Sequence, residues 1–175
     1  MFHVQTGQEN SCDGAQRHVR QTWQGRLDNR NECDYCQAGL VVQVIGLDTN
    51  VLVRYIMQDD VKQAALATKL IERLNGDAPG YISIVTIAEL CWVLESGFAL
   101  SRPQIVSVYQ RLMSVDAFKI DRVSVVAAAI RAYGEGKADF ADYLIERLSV
   151  LAGCTHTVTF DRAAAKSGAM TLIQH

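Results

Sequence analysis

Apolar residues fall into two regimes along the chain. From Met1 to Gln43 they number 15 of 43 and follow neither helical nor strand period; from Val44 to His175 they number 71 of 132 and become regular. Val44-Ile45-Gly46-Leu47 reads as a short strand. VKQAALATKLIERLNG carries apolar residues at helical spacing, with a stop expected at Gly76. Tyr81 to Val85 reads as a second strand. Thr86, with Glu89 three residues on, has the capping-box arrangement and should open a helix through IAELCWVLESG that stops near Gly97. Ser101 caps RPQIVSVYQRLMSV, with Pro103 in the first turn, where a missing N–H does no harm. Phe118 to Ile120 is a third strand, and Asp121 starts a helix through RVSVVAAAIRAYGEG. Asp139 or Phe140 starts another through ADYLIERLSVLAG. Thr155 to Phe160 is a fourth strand, Arg162 to Lys166 a short helix and Met170 to Ile173 a fifth strand.

Strands alternating with helices imply a parallel sheet covered on both faces. The ligand site of such a sheet lies beyond the carboxyl ends of its strands. That rule draws attention to the acids at element ends. Asp48 follows the first strand, Glu89 lies in the first turn of the helix after the second, Asp142 opens the helix before the fourth, and Asp161 follows the fourth. Gathered together, such carboxylates repel unless a cation neutralises them. Hard oxygen ligands suit Mg²⁺ or Mn²⁺, and a divalent ion held by carboxylates serves phosphodiester hydrolysis without a protein nucleophile. Each acid also has a plainer reading: Asp48, Asp139 and Asp142 as helix caps, Glu89 as the partner of Thr86.

GLDTNVLVRY, ISIVTIAELCWVL, GKADFADYLIERLSVLAGC and TVTFDRAAAK resemble, in order, the four signature regions of PIN-domain ribonucleases, specifically VapC-type toxins of bacterial toxin–antitoxin systems. The resemblance covers Val44 to about Ile173. It implies a PIN-like three-layer α/β/α sandwich with a central parallel sheet of about four to five strands. It further implies a Mg²⁺- or Mn²⁺-dependent endoribonuclease acting on structured RNA such as tRNA, neutralised by a cognate VapB-type antitoxin. Residue by residue, Asp48, Glu89, Asp142 and Asp161 match the family's four acids as catalytic metal ligands. Asn50 matches the polar residue supporting the first, and Thr159 the hydroxyl that often precedes the last. Asp139 lies in the same stretch as Asp142 and could share its role. Arg54, Arg162 and Lys166 flank the acids and are assigned to RNA phosphates. The helices from Val61 to Leu74 and from Leu90 to Leu112 offer more apolar surface than one sheet covers, which predicts a homodimer with the antitoxin in a neighbouring groove. Trp92, Phe98, Tyr109 and Phe118 suit core or subunit contact more than base stacking, and Cys91 and Cys154 suit burial.

Two rivals remain: a catalytically inactive module of the same fold, and a haloacid-type phosphatase. The latter needs a second aspartate two residues after the first, where this chain has Asn50. A receiver domain fits worse, since Ile120-Asp121 is followed by Arg122.

The totals narrow the setting. The 175 residues suit one domain, and a net charge of -2 gives no overall basic field, so RNA contact must be local. No apolar run is long enough to span a bilayer and no signal peptide is evident, so a cytoplasmic protein without membrane contact is expected. Five cysteines in unlike contexts argue against a disulfide framework. Residues 1–43 read as a poorly structured extension before a domain at 44–175. Cys33 and Cys36 have half the spacing of a zinc site, which His3, Cys12 or His18 could complete, but a second close pair is missing. The extension has no counterpart in the family, so Val44 is also a candidate start of translation.

Overall fold

The computed structural model describes residues 43–168 and 170–174. The Cys33 and Cys36 pair and the extension, residue 43 apart, lie outside them. Among the described residues five short strands are interspersed with seven helices: β1 (Ile45–Gly46), α1 (Thr49–Met57), α2 (Val61–Ile71), β2 (Gly80–Ile82), α3 (Ile84–Ser96), α4 (Arg102–Met113), β3 (Phe118–Ile120), α5 (Val123–Glu135), α6 (Phe140–Leu151), β4 (Val158–Thr159), α7 (Arg162–Lys166) and β5 (Thr171–Leu172). All pairings are parallel. β1, β2 and β3 form one sheet with β2 central, aligning Ile45 with Gly80 and Gly80 with Phe118; β4 and β5 pair separately, Val158 with Thr171. The five strands anticipated are present, grouped as three and two.

The elements differ from the periodicity in instructive places. VLVRYIM, rich in β-branched residues, is helical in α1 because Asp48 caps it and Leu52 and Val53 turn into the core. α2 ends at Ile71 and does not run to Gly76; the chain turns instead at Asn75, whose side chain accepts from the amides of Asp77 (2.9 Å) and Ala78 (3.0 Å). Ile84 and Val85 belong to α3 and not to the strand before it. Ser83, whose hydroxyl accepts from the Thr86 amide at 3.1 Å, is the cap expected at Thr86. α5 starts at Val123, after Arg122 in the left-handed region (φ 48), rather than at Asp121. The Ser101 cap with Pro103 in the first turn and the start of α6 after Asp139 fall where the sequence placed them, and Gln104 completes a capping box with Ser101.

The core gathers Leu52, Ile82, Ile87, Leu90, Leu94, Ile105, Val126 and Ile130 beneath the helices. Phe140 packs against Tyr109 (5.2 Å between centroids) and edge-on to Tyr133 (5.8 Å). Arg102 lies over the Tyr133 ring and donates to the carbonyls of Tyr133 (3.1 Å) and Ala138 (2.9 Å), which fixes the turn leading to Asp139. Gly136 is required in that turn, because a Cβ there would meet the Tyr143 hydroxyl at 1.8 Å. Cys91 is buried as expected; Cys154 is exposed, past the end of α6, and the burial expected of it is not found. Among the described residues no helix is long and apolar enough to cross a membrane.

Candidate active site

Asp48 is the first acid after β1 and caps α1. Its carboxylate accepts from the Asn50 amide (3.4 Å) and from Asn50 Nδ2 (3.3 Å), so Asn50 braces it twice. Between them, Thr49 is 4% exposed and its hydroxyl donates to Glu89 Oε2. One inward hydroxyl therefore ties α1 to α3 and brings the first two acids to one corner. Sequence reasoning passed over Thr49. No local signal marks it, since Val61, which also follows a helix cap and sits between polar neighbours, is 85% exposed. Because Ser83 caps α3, Glu89 is not used as a capping partner, and its carboxylate is exposed.

A second corner forms at the start of α6. Asp139 and Asp142 make a reciprocal capping box there, with the Asp139 amide donating to Asp142 Oδ2 at 3.2 Å. Burial raises the proton affinity of Asp142, and the nearby negative charges of Asp139 and Asp161 raise it further, against the lowering effect of the Asp139 amide. Asp161 caps α7, accepting from the amides of Ala163 (2.6 Å) and Ala164 (3.4 Å); its own amide donates to Thr159 Oγ1 at 2.9 Å. Thr159 thus fixes the backbone that presents Asp161.

Asp48, Asp142 and Asp161 lie at element ends, where the sequence placed them, and each makes the capping contact of its plainer reading; Glu89 lies in the second turn of α3, because that helix starts at Ile84, and is held by Thr49 instead of pairing with Thr86. As donors they are hard oxygens suited to a hard divalent ion, and the crowding felt by Asp142 is what such an ion would relieve. Among the described residues, however, no three His, Cys, Asp or Glu side chains converge closely enough to hold a metal ion. The acids form two corners rather than one chelating cluster.

Of the cations, Arg54 is engaged by Asp59, whose carboxyl it holds below its ordinary value, and donates to Gln63 Oε1 at 2.7 Å. Arg162 and Lys166 are exposed on α7 and join no ion pair among the described residues. Trp92, expected in the core or a subunit contact, is 68% exposed on α3, one turn beyond Glu89.

Parallel strands with helical crossovers, and acids at the helix starts beyond them, define a class, and the sequence model of the PIN domain family matches residues 45–168. The chain belongs to that family, and the match contains Asp48, Glu89, Asp139, Asp142 and Asp161. Over 126 residues it is similar to the VapC ribonuclease of Aquifex aeolicus (strain VF5), at 24% identity, covering 72% of this chain and 93% of that protein.

Proposed function

We propose that this chain is a VapC-type endoribonuclease that hydrolyses RNA phosphodiester bonds with Mg²⁺ or Mn²⁺. The observation that carries the reading is the family match over the stretch that holds every acid, together with the likeness to a VapC ribonuclease. The ion would lie between the two corners, with Asp48 and Glu89 on one side and Asp142 and Asp161 on the other, Asp139 beside Asp142, and would need them to draw together on binding. When bound, the ion would supply water activation and offset charge on the phosphorus. The chain's own residues prepare this. Asn50 fixes Asp48, Thr49 holds Glu89 in place, and Thr159 sets the backbone of Asp161. Arg162 and Lys166 offer exposed charge for phosphates flanking the scissile bond.

The functional unit in this reading is the PIN domain from residue 44, acting in the cytoplasm as a homodimer on structured RNA such as tRNA. It is restrained by a VapB-type antitoxin. A groove between α1 and α2, lined by Asn50, Val51, Leu66, Ala67 and Leu70, is open beside the first acid corner and leaves Leu66 69% exposed, which supports a protein partner there. Sequencing RNA ends after brief expression tests the function: discrete new ends that disappear with Asp48→Asn are expected, and ends unchanged by expression contradict it. A binding module of the same fold is the second reading, favoured by the division of the acids into two corners.

A further inference from the structure

A cavity of about 120 Å³ opens between α3 and the start of α6, beside the acids. Trp92, Glu95 and Asp139 line it, with Cys91, Phe140 and Ala141 behind them. Cys91 and Phe140 are buried, so the back wall is apolar, while Trp92 leaves its indole 68% exposed at the mouth. This aromatic face, which the core does not use, lies one helical turn from Glu89 and is open to stacking by a flat ligand. Glu95 makes no ion pair among the described residues.

The lining selects its occupant. Glu95 and Asp139 give the mouth a negative potential, and carboxylates only accept hydrogen bonds, so the cavity favours a neutral group rich in donors over an anion. An unpaired nucleobase meets both demands: its flat face stacks on tryptophan and its edge donates to carboxylates. Guanine carries both a ring N–H and an amino group on one edge, uracil only a ring N–H. We infer that this cavity takes an unpaired guanine next to the cleaved phosphate, stacked on Trp92 with its donor edge toward Glu95 and Asp139. The inference rests on RNA being the ligand proposed above, and it adds a base preference to that reading.

The test uses the full chain with Asp48→Asn to prevent cleavage and Trp23→Phe to leave Trp92 as the single indole. Oligouridylates of roughly ten nucleotides, carrying no guanosine, one guanosine or one inosine, are titrated in Mg²⁺ while Trp92 fluorescence is followed. The guanosine oligomer is expected to quench it and to bind about tenfold more tightly than the plain one, with inosine, which lacks the amino group, between them. Glu95→Gln should erase most of that preference without weakening the plain oligomer. In the cleaving enzyme, Trp92→Ala should raise KM about tenfold for guanosine-containing RNA, and Trp92→Phe should restore most of the loss. Equal binding of all three oligomers overturns the inference. So does quenching that follows protein concentration instead of RNA, which would seat a second copy of the chain on Trp92. If the enzyme cleaves RNA and Trp92→Ala leaves KM unchanged, the inference falls and the nuclease reading stands. If no RNA is cleaved yet guanosine still quenches, the cavity stands and the nuclease reading falls.

Discussion

The two acid corners are built on opposite principles. At the first, between α1 and α3, each carboxylate faces a neutral donor: Asp48 takes the Asn50 amide and side chain, and Glu89 takes the Thr49 hydroxyl. At the second, where α6 and α7 begin, the carboxylates take backbone amides but also face one another, and Asp142 is pushed toward its protonated form by burial and by the charges of Asp139 and Asp161. The first corner is braced and the second is under repulsion. Neutral donors can hold a geometry before any ligand arrives, whereas crowded carboxylates settle only when a proton or a cation is shared among them.

Substitutions can break this contrast, the largest effect coming from the turn that delivers the second corner. Gly136→Ala drives a Cβ against the Tyr143 hydroxyl and to 3.0 Å from the Ala132 carbonyl oxygen. It should cost about 1–3 kcal/mol in chemical denaturation. A smaller cost is expected at the first corner: Thr49→Val keeps the buried volume but removes the donor to Glu89, costing about 1 kcal/mol and lowering RNA cleavage as well.

The smallest effect has the opposite sign. Asp142 holds its proton more tightly in the folded chain than in the unfolded one, so its contribution to stability is complete below the ordinary aspartate range. That contribution is lost as pH rises through the raised folded value. Asp142→Asn should therefore raise the melting temperature of the metal-free protein at neutral pH slightly, by less than Thr49→Val lowers it, while abolishing cleavage. The gain over wild type should shrink as pH falls through the carboxylate range. If Thr49→Val stabilised and Asp142→Asn destabilised at neutral pH, the distinction between the corners would be wrong.

What the sequence made legible follows from how local each signal is. Capping is local, so the Ser101 cap and the start of α6 at Asp139 could be read from neighbouring residues. Asp48, Asp142 and Asp161 were legible for a related reason, since each lies at an element boundary that the pattern marks; Glu89 lies farther along, in the second turn of α3. Tertiary burial is not local. Trp92 suits core or subunit contact from its spacing alone, and only the fold shows that its face of α3 is left outside the core. The hydroxyl of Thr49 reaches Glu89 across 40 positions in sequence, a pairing no window of the chain contains. The grouping of strands as three and two depends on two-residue ladders set by packing, not by composition.

The central claim is that the two corners act together as one divalent-ion site on RNA. Cleavage of a structured RNA such as tRNA by the purified chain, measured with Mg²⁺ or Mn²⁺, then with EDTA, then with Asp48→Asn, tests it most directly. The account predicts discrete cleavage that vanishes in EDTA, returns on adding the ion back, and falls on the order of a hundredfold or more in Asp48→Asn. Cleavage that persists in EDTA, or that is indifferent to Asp48→Asn, would contradict it.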